Sequence, residues 1–306
     1  MNLAHLFDQD LVASVLRSLI PILLAALGGM LCSRVGIFNI GLEGIILIGA
    51  FGAVAGSYFT TNGIVGVLVG MVSGALFSLI LGYGSIYRGG DPIVLAIAMN
   101  LLAIGITSFL IYSVFRVQGV FKHADIIGIP TWKIPLLSDI PYLGQLFSLS
   151  PLGYLALILV PVIWVVLFRS PLGLRLRGVG ERPLAAATLG ISPQRYQLST
   201  VVVSGALAGL GGAQLAIGNV QQFSENMSAG RGWIAVVAVM LAHSHPVGVL
   251  GAALLFGFTD AFGFRLQSFG LPQQLTDSIP YVVTLVALVA MSVRLRRKRF
   301  AESKVA

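Results

Sequence analysis

Long apolar runs separated by short polar stretches dominate the chain. A helix needs roughly 20 apolar residues to cross a hydrocarbon core about 30 Å thick. Runs approaching or reaching that length lie at Leu11–Leu31, Ile40–Tyr58, Ile64–Ile86, Pro92–Phe115, Leu152–Phe168, Leu198–Ile217, Gly232–Leu241, Val247–Phe264 and Leu275–Val293. The pattern predicts an all-α fold, a polytopic transmembrane helical bundle of about 8–10 spanning helices. The run at Gly232–Leu241 is too short to span and reads as a half-helix near residues 231–242 that follows a re-entrant stretch. Nothing divides the pattern, so residues 1–306 read as a single transmembrane domain. Asp91-Pro92, Ser150-Pro151 and Ser192-Pro193 each place an N-cap residue before a proline at the first helical position. The proline costs nothing there, because first-turn N–H groups have no intrahelical partner.

Composition sharpens the picture. Only 10% of residues are charged against 57% hydrophobic, where a soluble domain carries about a quarter charged. Most of the surface must therefore face lipid. The net charge of +8 is confined to short loops and a tail. That distribution fits orientation in a bilayer and contact with anionic lipid, not binding of nucleic acid. One predicted side holds Arg34, Arg88, Arg169, Arg175, Arg177, Arg182 and Arg195 together with the tail from Arg294 to Lys304. The positive-inside rule makes that side, with the C-terminus, cytoplasmic and puts the N-terminus outside. The first ten residues contain Asp8 and Asp10 but no Lys or Arg, so the first run is expected to be a retained helix rather than a secretory signal. Cys32 is the sole cysteine, which rules out an internal disulfide and any cysteine-based metal site. Glycine is abundant, 37 residues, and runs such as Gly205–Gly212 suit close helix approach in lipid.

Three stretches carry candidate chemistry. In Gly36–Gly44, Asn39 and Glu43 stand four residues apart inside a glycine-interrupted apolar segment. A carboxylate at membrane depth faces a cavity or a partner, so the pair reads either as part of a translocation path or as a hydrogen bond pinning two helices. On the basic side, Gly178–Gly190 holds a helix of about seven residues that starts at Pro183 and stops at Gly190. Two turns are marginal alone in water. The segment reads as an ordinary surface loop or as a helix docked on a partner through its Ala185 and Ala186 face, with Glu181 and Arg182 at its start. On the opposite side, Phe223, Glu225, Asn226, Arg231 and Trp233 mix rings with hydrogen-bonding groups, which suits a sugar or a nucleobase. A helix N-terminus there can face a bound polar group. Asn100 adds an amide within a run, Arg17 and Asp260 are read as snorkelling toward an interface, and His243 and His245 are read as holding no metal. No Walker loop and no triad of catalytic residues occurs, so the chain reads as neither an ATP-binding protein nor an enzyme, with no cofactor of its own.

Four stretches together resemble the permeases of bacterial ABC importers of the branched-chain amino acid, ribose and nucleoside group, most closely the nucleoside branch linked to basic membrane proteins. They are Arg34–Gly44 with Ile48–Phe51, Gly173–Pro183 with Leu189–Ile191, Ser204–Ala213, and Glu225–Trp233. Ala242-His243-Ser244-His245-Pro246 departs from that group, which tends to carry Gly-Lys-aromatic there. The resemblance implies that Glu181, Arg182, Pro183, Ala185, Ala186, Leu189 and Gly190 form the ATPase-contacting loop. It also implies an ABC ATP-binding subunit that uses the ATP, a second related permease giving a heterodimer, an extracytoplasmic substrate-binding lipoprotein, and a place in the bacterial inner membrane. Asn39, Glu43, Asn100, Phe223, Glu225, Asn226, Arg231 and Trp233 are the candidates for the substrate path of a nucleoside importer. Two alternatives stand beside this: an ion-coupled secondary transporter with Glu43 and Asp260 as the coupling groups, or an ABC permease for a simple sugar or flavin.

Overall fold

The computed structural model describes residues 9–133, 144–267 and, with interruptions, 275–289. Residues 1–8, the loop prolines Pro135 and Pro141, and the basic tail lie outside the described residues, as does part of the run expected at Leu275–Val293. The remaining chain forms α1 (Gln9–Arg34), α2 (Leu42–Thr60), α3 (Gly63–Ile86), α4 (Pro92–Phe115), α5 (Pro151–Arg169), α6 (Pro171–Glu181), α7 (Pro183–Thr188), α8 (Pro193–Ala213), α9 (Arg231–Leu241) and α10 (Pro246–Gln267). Seven of these are long and apolar enough to cross a membrane; α9 and Ser278–Ala287 are shorter apolar helices. The protein is a multi-pass helical bundle, and the half-helix falls where the short run placed it.

Caps account for several boundaries. Asp91 accepts from the N–H groups of Ile93 and Val94, and Ser150 accepts from Gly153. Ser192 precedes Pro193 but makes no side-chain cap, so that expected repeat of the arrangement is not realised. An unforeseen Ser170-Pro171 start caps α6 instead, with Ser170 accepting from Gly173. The basic-side stretch between α5 and α8 therefore holds α6 as well as the short helix expected from Pro183, α7. Beyond Ala213, α8 widens into a π-helical turn, Gln214–Val220. The wider turn leaves Gln214 free to bond sideways: the Ser150 hydroxyl donates to its Oε1 at 2.7 Å, and its Nε2 donates to Asn219 Oδ1 at 3.0 Å. Two short antiparallel pairs, Val120–Phe121 with Phe223–Ser224 and Trp132–Lys133 with Ser148–Leu149, stitch the loops at the opposite end.

Helices α1, α2 and α8 form the interior, while α3, α4 and α5 turn large apolar side chains such as Leu76, Leu101, Phe109 and Ile158 outward, as lipid contact requires. Glycine sets how closely α2, α3 and α8 approach. A Cβ on Gly74 would stand 2.5 Å from the Gly205 carbonyl oxygen, and one on Gly49 would stand 2.5 Å from the Gly209 Cα. These neighbours are backbone atoms and cannot swing aside. Gly209→Val is accordingly expected to destabilise the bundle by about 1–3 kcal/mol, the usual cost of overpacking. Gly105→Val, at a position on α4 with open space around it, is expected to be silent. Thermal denaturation in detergent, followed by size-exclusion profile, compares the two; equal behaviour would refute the close-approach account.

Candidate functional site

The site is organised by the connector between α1 and α2. After Arg34 the chain turns through Gly36, whose φ of +82° suits only glycine, and stays non-helical to Gly41. Asn39 therefore does not share a helical face with Glu43, as their spacing had suggested. Its Oδ1 accepts from the Gly41 N–H at 3.0 Å, and its Nδ2 donates to Ser204 Oγ on α8 at 3.3 Å, so Asn39 fixes the connector to the bundle. Asn100, projecting from α4, fixes it from the other side. Its Oδ1 accepts from the Gly44 N–H at 2.8 Å, and its Nδ2 donates to the Ile40 carbonyl at 3.2 Å.

These constraints deliver Glu43, in the first turn of α2, to the start of α9. The Gly230 N–H donates to Glu43 Oε1 at 2.8 Å and the Gly232 N–H donates to Oε2 at 2.6 Å. Both amides are among the orphan donors that a helix start leaves unsatisfied. The carboxylate thus meets the positive end of its own helix and of α9 together. The α9 N-terminus, expected to face a bound polar group, is already occupied by a side chain of the same chain. Gly232 permits the contact, because a Cβ there would collide with the Glu43 backbone.

Glu43 lies on the wall of a cavity of about 700 Å³ lined also by Asn100, Asn226, Arg231, Trp233 and Asp260. That is within the roughly 300–1,000 Å³ range of small-molecule sites. Arg231 Nη2 and Asp260 Oδ2 stand 3.6 Å apart, so Asp260 pairs across the cavity instead of snorkelling. The distance is an ion pair but not a hydrogen bond, and Arg231 Nε and Asp260 Oδ2 are buried without hydrogen-bond partners among the described residues. Leu101, Trp233 and Phe264 line the cavity and are themselves exposed. The approach to α9 is wound tightly, with Asn226 at φ +54° and Ala229 at φ +46°, a conformation that strains a non-glycine residue.

Three of the sequence candidates are not among the residues that line this cavity: Asn39, which fixes the connector, Phe223 and Glu225. Phe223 is fully buried and packs edge-on against Phe51 with ring centroids 5.4 Å apart. Glu225 ties two loops, its Oε1 accepting from the Gly119 N–H at 3.0 Å. Asp260 is the cavity residue whose role the sequence does not reveal. Its partner Arg231 is 29 positions away, with no periodicity to connect them.

The far end of α9 is held by the same connector. Arg34 Nε donates to the Ser244 carbonyl at 2.7 Å, and its Nη2 donates to that of His243 at 3.4 Å. His243 and Ser244 both take positive φ there, 48° and 54°. The guanidinium also lies over the Phe168 ring, 5.5 Å from its centroid. A half-helix of this length rises about 16 Å, so Arg34 and Glu43, at its two ends, are separated by about half the thickness of a hydrocarbon core. Beside Arg34 runs α6, with Gly180 packed against the Arg34 and Gly36 backbone so closely that a Cβ has no room. After α6 comes α7, where only Ala186 is buried. Gly190, at φ +78°, ends it, its N–H donating to the Ala187 carbonyl at 3.0 Å. Leu184 and Leu189 are 85% and 80% exposed.

A family model described as the branched-chain amino acid transport system / permease component matches residues 11–288. A guanosine ABC transporter permease protein of Bacillus subtilis, NupQ, is 38% identical over 283 residues, which cover 88% of this chain and 87% of the relative. A nucleoside ABC transporter permease protein of Lactococcus lactis, NupC, is 38% identical over 293 residues, 92% of this chain and 91% of the relative. A Haloferax volcanii protein provisionally named as the glucose ABC transporter permease TsgC13 is 30% identical over 320 residues, 96% and 95% of the two chains.

Proposed function

The chain belongs to the permease component family of branched-chain amino acid transport systems, and from that premise we propose that it is the membrane subunit of an ABC importer for nucleosides. The observation that carries the reading is the cavity of about 700 Å³, where a half-helix, a ring and paired donor and acceptor groups converge. That surface suits a neutral ring compound with its own donors and acceptors. Similarity to nucleoside and guanosine permeases supports the same substrate class.

In this reading the chain lies in the bacterial inner membrane, with the arginine-bearing end in the cytoplasm and the N-terminus outside. The exposed leucines of α7 seat in the ATP-binding subunit, which binds and hydrolyses the ATP. A lipoprotein delivers substrate at the outer end. A second, related permease closes the flank of the cavity at Leu101, Trp233 and Phe264, since lipid cannot satisfy the polar groups behind it. Hydrolysis in the partner moves α6 and α7, and the connector carries that motion to α9 and the cavity. The chain itself is not an enzyme.

The test is uptake and ATPase activity of the assembled importer in proteoliposomes with its binding protein. Nucleosides are expected to stimulate ATPase and to accumulate only when ATP is supplied. A glucose response without a nucleoside response would move the substrate to the sugar class, a reading favoured by the similarity to TsgC13. Uptake by this chain alone on an ion gradient would overturn the importer assignment.

A further inference from the structure

Building on the importer reading, we infer that Glu43 and Asp260 close the cavity to anions and so make it discriminate a neutral solute from its phosphorylated form. Two features facing the cavity would attract a phosphate: the α9 N-terminus and the Arg231 guanidinium. Each is already taken by a carboxylate of the same chain. Glu43 accepts both amides at the α9 start, at 2.8 and 2.6 Å, and Asp260 stands 3.6 Å from Arg231. Arg231 supplies one positive side-chain charge and Glu43 and Asp260 supply two negative ones; the helix end adds about half a positive charge. Among the described residues no positive charge is left over for an anion at this wall. An entering phosphate would have to displace a carboxylate buried at membrane depth and meet it again as a like charge.

The same geometry remains open to neutral ligands. Arg231 and Asp260 both line the cavity and stand 3.6 Å apart. A neutral ring compound brings no net charge, so it can occupy the cavity without displacing either carboxylate or breaking the ion pair. Asp260 is therefore a specificity-determining residue, selecting with Glu43 against net negative charge.

The experiment is ligand-induced thermal stabilisation of the assembled complex in nanodiscs, without the binding protein, so that the cavity alone is read. The probes are guanosine, guanosine 5′-monophosphate and inorganic phosphate. Wild type is expected to respond to guanosine and not to either phosphate. Asp260→Asn, which frees the guanidinium while keeping the side-chain shape, is expected to gain affinity for both phosphates by roughly tenfold or more, the scale of one charge-assisted hydrogen bond. Adding Arg231→Ala to Asp260→Asn is expected to remove that gain, which a merely structural role for Asp260 would not produce. Asp260→Ser serves if the asparagine variant does not assemble. A wild type stabilised by phosphate as strongly as the variant overturns the inference, as does a folded Asp260 variant with no gain. If guanosine has no effect on wild type while the phosphate gain appears and depends on Arg231, the nucleoside assignment fails and the charge filter stands.

Discussion

Replacing both Leu184 and Leu189 with aspartate is expected to abolish ATP-driven uptake while leaving the membrane bundle intact. Helix α7 has six residues, too few to be stable on propensity alone. Its ends are fixed by local chemistry, with Pro183 at the first helical position and Gly190 in the left-handed conformation after the last. It is thus a preformed tip, and Ala186 is its only buried side chain. Leu184 and Leu189 present their apolar surface at 85% and 80% exposure on the face away from the bundle. Burying a leucine contributes about 1.5–3 kcal/mol. Losing both, and adding two carboxylates that must then be desolvated, would weaken docking of the ATP-binding subunit by roughly a hundredfold or more. Neither leucine supports the bundle, so the size-exclusion profile and helical content of the isolated permease should match wild type. Co-purification of the ATP-binding subunit reads the effect directly. A double variant that retains that subunit and transports normally would remove α7 from the coupling role.

Much of the fold was legible in the chain because lipid makes a simple demand. Each span must be long, apolar and internally hydrogen-bonded, and the runs at Pro92–Phe115 and Gly232–Leu241 match α4 and α9 almost to the residue. The site was legible by residue type and much less by geometry. Glu43 stood out as a carboxylate in an apolar run, yet its partners are the amides of Gly230 and Gly232, nearly 190 positions away. No sequence pattern encodes a backbone donor. Asn39 and Glu43 looked like a helical pair because period 3.6 was assumed through Gly36–Gly41. There the left-handed glycine and the Asn39-to-Gly41 bond start α2 only at Leu42. Phe223 was read by composition as a ligand ring, but its position in a two-residue strand pair turns it into the core against Phe51. The Ser170-Pro171 start was visible as the same motif used elsewhere and was obscured by the arginines that follow it.

The connector's hold on α9 leads to the second large effect, in Glu43→Gln. Glutamine keeps the size of the side chain but offers one acceptor oxygen where the carboxylate offers two. One of the amides at Gly230 and Gly232 would then face an NH₂ group, donor against donor, in a buried site. The loss of a charge-assisted hydrogen bond is worth about 1.5–3 kcal/mol, and loss of the negative charge at a partly buried helix start adds up to about 2 kcal/mol. Docking on α7 lies at the far end of the molecule, so the ATP-binding subunit should still co-purify, in contrast to the leucine double variant. Substrate-stimulated ATPase and uptake should both fall at least tenfold, because α9 would be anchored at its Arg34 end and loose at its cavity end. Glu43→Asp, a methylene shorter but still charged, should reach one amide and recover part of the activity. This ordering, Glu above Asp above Gln with the ATP-binding subunit retained throughout, separates a transmitted motion from simple unfolding. A glutamine variant with wild-type uptake would mean that the half-helix start needs no carboxylate, and that the coupling route from α6 through the connector to the cavity lies elsewhere.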